Sequence, residues 1–332
     1  MNLTDSTNSL LEEFYNNTDI SDISDISDSK YDEPLSSYGG SLGSGTSVGN
    51  SKFKEDLINE DKNHNLDEEP KSFLRMSNID TDLFDKNCKF DKSTNRFKIP
   101  EIPMRCFLRW KIGRLLASGQ GAVVFESGFS SSNQSCMKVA RISQFRTETH
   151  MENFRRDVEV RYILSCMCKD VSIASLTDAF ICKSKNIKYG VSISDKYDSN
   201  AIQYLLGLPC GSRGVFLEQF KITMINTIKK MHGCGFVHRD IEASNILVRT
   251  TPNGKVDIAL TDFETAGSKE YFGWSDHAMD AYISLDLKQV KRVVKEMRDV
   301  DSYLKGNPVV LPRRTLLVMG ITTDMLDKLK KA

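Results

Sequence analysis

The chain has 332 residues, 39% of them apolar, and its 45 Lys and Arg balance 45 Asp and Glu. That length holds one large domain or two small ones, and the composition suits a folded chain with some polar excess. No run approaches the roughly 18 apolar residues of a membrane span, and the N-terminus lacks a cationic start followed by an apolar stretch, so neither a spanning segment nor a secretory leader is expected. The expected location is intracellular, cytoplasmic or nuclear. The charge is uneven: residues 1–70 carry 16 acids and 4 bases, and the rest of the chain has a compensating net of +12. The acidic head reads as a solvated tail, a candidate to dock partners or the basic body. Eight cysteines stand at 88, 106, 136, 166, 168, 182, 210 and 234 with no C-x-x-C pair, and they are expected to be reduced thiols filling apolar space.

Residues 1–95 are expected to be disordered. Ser, Asn, Asp and Gly dominate 1–70, with a repeated Asp-Ile-Ser at 19–27, and such a stretch buries too little apolar surface to offset chain entropy. Leu10, Leu11, Phe14 and Tyr15 form a candidate docking segment within it. From Phe107 the pattern changes. Strands are predicted over 110–116, 122–127 and 135–141, with the small-residue turn Ala117-Ser118-Gly119-Gln120-Gly121-Ala122 between the first two and Val124 just beyond. Lys138 lies inside the apolar run of the third, where an ammonium needs an anionic partner to offset its desolvation. A helix carrying Met151, Phe154, Val158 and Tyr162 follows, and Glu148, Glu152 and Glu159 on it are the candidate partners. Two more strands are predicted at 179–183 and 187–193, with a connection near 194–198. Next comes an amphipathic helix through Leu217, Phe220, Met224, Ile228 and Met231, stopping at His232-Gly233.

The stretch from Gly235 to Gly267 carries the chemistry. It reads His238-Arg239-Asp240, four residues, Asn245, a hairpin of Ile246-Leu247-Val248 and 256–260 joined by Pro252-Asn253-Gly254, and then Asp262-Phe263. One hairpin thus spaces an amide oxygen and a carboxylate, both hard oxygen ligands suited to Mg²⁺.

The pattern H-R-D-x-x-x-x-N followed by Asp-Phe resembles the catalytic core of eukaryotic protein kinases. The resemblance covers roughly 110–300. It implies an α+β, two-lobed kinase-like fold: a five-stranded antiparallel lobe with one helix over about 105–194, and a mostly helical, truncated lobe over about 195–332, together forming a domain at 96–332. ATP and Mg²⁺ are the implied cofactors. Asp240 is then the base that faces the acceptor hydroxyl, and Asn245 and Asp262 are the metal ligands. Lys138 paired with Glu159 positions the phosphates, the interval from Lys138 favouring Glu159 over the other acids. Ala117, Ser118, Gly119, Gln120, Gly121 and Ala122 cover the phosphates, and Val124 and Leu247 complete the nucleotide site. A serine/threonine protein kinase with a protein substrate is the implied function, and the basic body suits ATP without a nucleic-acid partner.

Departures from the family pattern leave a pseudokinase scaffold and a small-molecule kinase of the choline or aminoglycoside type as alternatives. Glu242 stands two residues after the base, where Lys is usual. Glu264 replaces the glycine after Asp262-Phe263, removing the residue freest to take positive φ, and no A-P-E follows. Asp286 and Asp280 compete to buttress the catalytic loop, with N-capping of a helix through Leu287, Val290, Val294 and Met297 as the plain alternative for either. The resemblance makes Arg239 the residue that can meet a phosphorylated activation segment.

Overall fold

An antiparallel sheet of five strands forms the first part of the fold, β1 Trp110–Ser118, β2 Ala122–Phe129, β3 Lys138–Phe145, β4 Leu176–Ser184 and β5 Ile187–Asp195. The computed structural model describes residues 90–94, 96–97, 102, 104, 110–118, 122–129, 138–168, 170–184, 187–311, 316, 321–322 and 325–328. Gly119, Gln120 and Gly121 of the predicted loop, and the acidic stretch 1–70, lie outside the described residues. In space the strands run β1-β2-β3-β5-β4. One face of the sheet closes on Trp110, Phe125, Ala140, Ile142, Phe180, Val191 and Ile193.

The opposite face takes α1, Glu148–Met167, whose start is capped by the Thr147 side chain accepting the His150 N–H. Gly190 allows that close approach, because a Cβ there would stand 2.6 Å from the Phe145 and Phe154 rings. The two rings sit 5.5 Å apart, bridging strand and helix.

After β5 the chain becomes mostly helical. It forms β6 Ser199–Asn200, α2 Ala201–Gly207, α3 Cys210–Gly233, β7 Phe236–Val237, β8 Ile246–Thr250, β9 Val256–Leu260, β10 Gly267–Ser268, α4 Lys269–Phe272 and α5 Asp276–Leu304. Helices α3 and α5 pack together through fully or nearly buried Phe220, Met224, Ile228 and Met231 on one and Val290, Val293, Met297 and Val300 on the other. Burying each such side chain contributes roughly 1.5–3 kcal/mol before entropy is counted. The architecture is the kinase-like α+β fold: a five-stranded antiparallel sheet with one helix, followed by a helical lobe.

The thiols depart from expectation. Cys168, just past α1, is joined to Cys234, just past α3, across 66 residues. Their Cα atoms are 6.5 Å apart, within disulfide range, and Cys166 and Cys182 are disulfide-bonded too. Sequence spacing could not show that two helix ends so distant along the chain meet in space. No helix among the described residues is long and apolar enough to cross a membrane.

Candidate active site

The catalytic-loop residues are held from below by α5. Asp286, buried ten residues into that helix, accepts the His238 N–H at 2.8 Å and the Arg239 N–H at 2.7 Å, and lies 2.9 Å from His232 Nε2. The helix is capped elsewhere, by Ser275, so Asp286 is the buttress and N-capping does not explain it. Gln289, one turn further on, accepts the Ile241 N–H and donates to the Arg239 carbonyl. Nothing in the sequence singled it out; a polar side chain near the Asp286 face of the helix was the available signal. This grip holds Arg239 at φ 73°, a conformation that costs a non-glycine residue of order 1–2 kcal/mol and persists only where the surroundings impose it.

The Asn245 amide donates to the Asp240 carbonyl at 3.0 Å and to its Oδ2 at 3.1 Å. Asn245 sits in a one-turn 3₁₀ helix, Ala243–Asn245, just before β8, and its carbonyl accepts the Thr261 N–H at 2.9 Å. The β8–β9 hairpin pairs Ile246 with Leu260, so Asp240, Asn245 and Asp262 come to one end of it. Half-buried Leu247 stands between fully buried Ile246 and Val248.

Asp262 also has positive φ, 67°. The left-handed residue is therefore the aspartate, not Glu264 at the missing glycine. Asp tolerates this conformation better than most residues. Phe263 is fully buried with its ring 4.8 Å from that of His238, and its N–H is accepted by Asp157 Oδ1 at 2.9 Å. Burial, then the carboxylates of Glu264, Asp157 and Asp240, push Asp262 up to about 6 against the pull of Arg141. Its Oδ1 is buried without a hydrogen-bond partner. The Asp262 carboxylate and the Asn245 amide are hard oxygen ligand types that suit a divalent cation; among the described residues no group of three or more His, Cys, Asp or Glu gathers to hold one.

The expected ion pair of Lys138 with Glu159 is not formed. Lys138 Nζ binds Asp195 Oδ1 at 2.6 Å and Thr177 Oγ1 at 2.9 Å. The reason is strand register. Residues 135–137 of the predicted strand lie outside the described residues; the described strand covers Lys138–Phe145, and Lys138 is the direct cross-strand neighbour of Asp195. Glu159 keeps Arg155 and Arg156 as its charged neighbours, and burial raises its carboxyl above the usual range. The cation beside Asp262 is Arg141, whose Nη2 lies 2.5 Å from Glu264 Oε1 and 3.7 Å from Asp262 Oδ1. Behind it, nearly fully buried Asp157 pairs with Arg161 at 2.5 Å. Burial alone would raise Asp157, but Arg161, Arg141 and the Phe263 N–H hold it below the usual carboxylate range. Val124 is the cross-strand neighbour of Arg141, and Ala117 that of Val124. Half-buried Ala122 is on the same strand, and Ser118 at the turn is exposed.

One further departure has a counter-charge on α5. Glu242 lies 3.8 Å from Arg292 of α5. Arg239 stacks its guanidinium 5.0 Å from the Trp274 ring and 4.3 Å from the Tyr282 ring, and donates to the Thr265 carbonyl.

Residues 219–301, from α3 to near the end of α5, match the lipopolysaccharide kinase (Kdo/WaaP) family. The chain is also similar to calcium-dependent protein kinase 24 of Arabidopsis thaliana, 26% identical over 53% of this chain and 32% of that protein. Mitogen-activated protein kinase HOG1 of Wallemia muriae is 27% identical over 40% of this chain and 42% of its own. HOG1B of Wallemia ichthyophaga is 29% identical over 47% and 42%. Fold and matches support a kinase-like superfamily. They support an ATP-dependent phosphotransferase in general, with ATP and a divalent metal as the cofactors such a family implies. The chain spans under half the length of these curated relatives.

Proposed function

We propose that this chain is a divergent serine/threonine protein kinase whose catalytic part is 96–332, with 1–95 as an acidic region outside it. One observation carries the reading. Asp286 holds a loop on which Asp240 is bonded to Asn245, beside an Asp262 oxygen that is buried and lacks a hydrogen-bond partner. Asp240 faces the acceptor hydroxyl and takes its proton as the oxygen bonds to the γ-phosphorus and the bond to ADP breaks. Asp262 and Asn245 would hold a divalent ion, which would supply charge neutralisation at the phosphates. Glu242, the acid in place of the usual Lys, has Arg292 as its counter-charge 3.8 Å away. Small-residue backbone at Ala117, Ser118 and Ala122 suits close approach to the nucleotide, with Val124 and Leu247 against its base.

The test is transfer of radiolabelled γ-phosphate by the full chain and by Asp240→Asn, offered generic protein acceptors beside choline and ethanolamine. Protein labelling that falls by about 10²-fold or more in Asp240→Asn, with Mg-ATP binding retained, supports the proposal. Equal labelling by both proteins discards it, and Mg-ATP binding without transfer points to a scaffold. A small-molecule kinase is the second reading, favoured by the match to a lipopolysaccharide kinase family across the catalytic loop, and labelling of a small acceptor alone would select it.

A further inference from the structure

We propose that Arg141, rather than Lys138, is the cation that meets the nucleotide phosphates, and that Glu264 occupies its guanidinium until a nucleotide arrives. The inference rests on the kinase reading of the site and assigns a residue within it.

The sheet decides which cation faces the cleft. Residues 138 to 145 pair with β5 without interruption, so side chains alternate strictly, and positions three apart lie on opposite faces. Ala140 and Ile142 point into the apolar core of the far face, and Lys138 shares their parity. Arg141 has the parity of Phe145, whose ring meets Phe154 of α1. It is therefore on the side of the sheet that looks toward Asp157 and Asp262. Lys138 is already neutralised by Asp195.

Position relative to Asp262 argues the same way. Arg141 Nη2 lies 3.7 Å from Asp262 Oδ1, so a phosphate that approached Asp262 would meet the guanidinium. A guanidinium suits this task because its planar fork binds phosphate and carboxylate in the same bidentate manner. Glu264 takes one arm of that fork, its Oε1 2.5 Å from Nη2. Unlike Asp157, which is committed to Arg161 and the Phe263 N–H, Glu264 is a quarter exposed. It can leave into solvent when a phosphate takes its place.

The test measures affinity of the full chain for Mg-ATP and for adenosine by isothermal titration calorimetry. Arg141→Ala should weaken Mg-ATP at least tenfold and leave adenosine unchanged, since adenosine has no phosphate. Arg141→Lys should recover part of the loss, and Lys138→Ala should stay within threefold of wild type. Glu264→Gln should tighten Mg-ATP several-fold, and the gain should vanish in the Arg141→Ala background. Loss of Mg-ATP affinity in Lys138→Ala with none in Arg141→Ala overturns the assignment, as does weaker binding in Glu264→Gln. A general structural lesion in Arg141→Ala would depress adenosine too, and the comparison of Arg141→Lys with Glu264→Gln then decides. Asp262→Asn separates the two readings. If it still abolishes Mg-ATP binding while the Arg141 variants have no effect, the kinase site stands and this assignment falls. A wild-type chain that takes no Mg-ATP overturns both.

Discussion

Asp286 Oδ1 accepts the Arg239 N–H at 2.7 Å, so a carboxylate within a 29-residue helix fixes the backbone of the catalytic loop in a left-handed turn. Asp286→Ala would strand two buried N–H groups and the His232 ring. We expect a stability loss of about 3 kcal/mol, since hydrogen bonds to a charged acceptor are worth about 1.5–3 kcal/mol each and are only partly replaced by water. Urea unfolding measures it. Asp286→Asn keeps one acceptor oxygen and should lose less; equal loss in both would show that volume, not hydrogen bonding, matters here.

His238 should make the fold sensitive to acid. Its Nε2 lies 3.0 Å from the Thr261 carbonyl, and its Nδ1 accepts the Asp240 N–H at 3.2 Å. This fixes a neutral ring protonated on Nε2, because a second proton on Nδ1 would face another donor. Burial depresses its pKa below the ordinary 6.5, outweighing the carboxylate of Asp286. As pH falls below 6.5 the unfolded chain binds the proton first, so stability falls toward acid and is unaffected above that value. Asp262, pushed up to about 6, acts with the opposite sign. Comparing wild type with His238→Asn at pH 7.5 and 5.5 therefore isolates the histidine. A slope of up to about 1.4 kcal/mol per pH unit should disappear in the variant, and an unchanged slope refutes the neutral bridge.

Trp274 sits where a side chain on Gly267 would have to go, since a Cβ there overlaps its ring. Gly267→Ala should cost about 1–3 kcal/mol by overpacking. The same change in a Trp274→Ala background should cost much less, because the obstacle is gone. Thermal unfolding of the four proteins gives the coupling, and additive losses would place the strain elsewhere.

The Cys168–Cys234 link ties the ends of α1 and α3 across 66 residues. Cys234→Ser, or reduction under native conditions, should lower stability by about 2–4 kcal/mol through greater freedom of the unfolded chain. Mass spectrometry of the oxidised protein after tryptic digestion should find the two peptides joined; unlinked peptides would discount the crosslink.

Much of this molecule was legible as pattern. Short apolar-rich runs placed all five strands to within a few residues, and the 3.6-residue period marked α1, α3 and much of α5. The third strand shows where pattern reading stops. An apolar run from Ser135 invited a strand ending at Arg141, whereas the described ladder continues to Phe145. Composition cannot count that offset, because both registers alternate and only pairing with β2 and β5 chooses between them. Asp280 competed with Asp286 on paper for the same reason: which one points at the loop depends on how α5 is rotated against α3. Gln289 and the Cys168–Cys234 pair carried no local signal at all.

The resemblance of His238-Arg239-Asp240, Asn245 and Asp262-Phe263 to the protein-kinase pattern named Asp240, Asn245 and Asp262 as one set, and the hairpin between Asn245 and Asp262 limits how far those two can separate. The counter-charges around them were another matter. Whether Lys138 or Arg141 stands beside Asp262, and whether Asp157 or Glu159 lies behind it, turns on strand parity and helix rotation. Those are properties of packed elements, and a linear string of residues does not contain them.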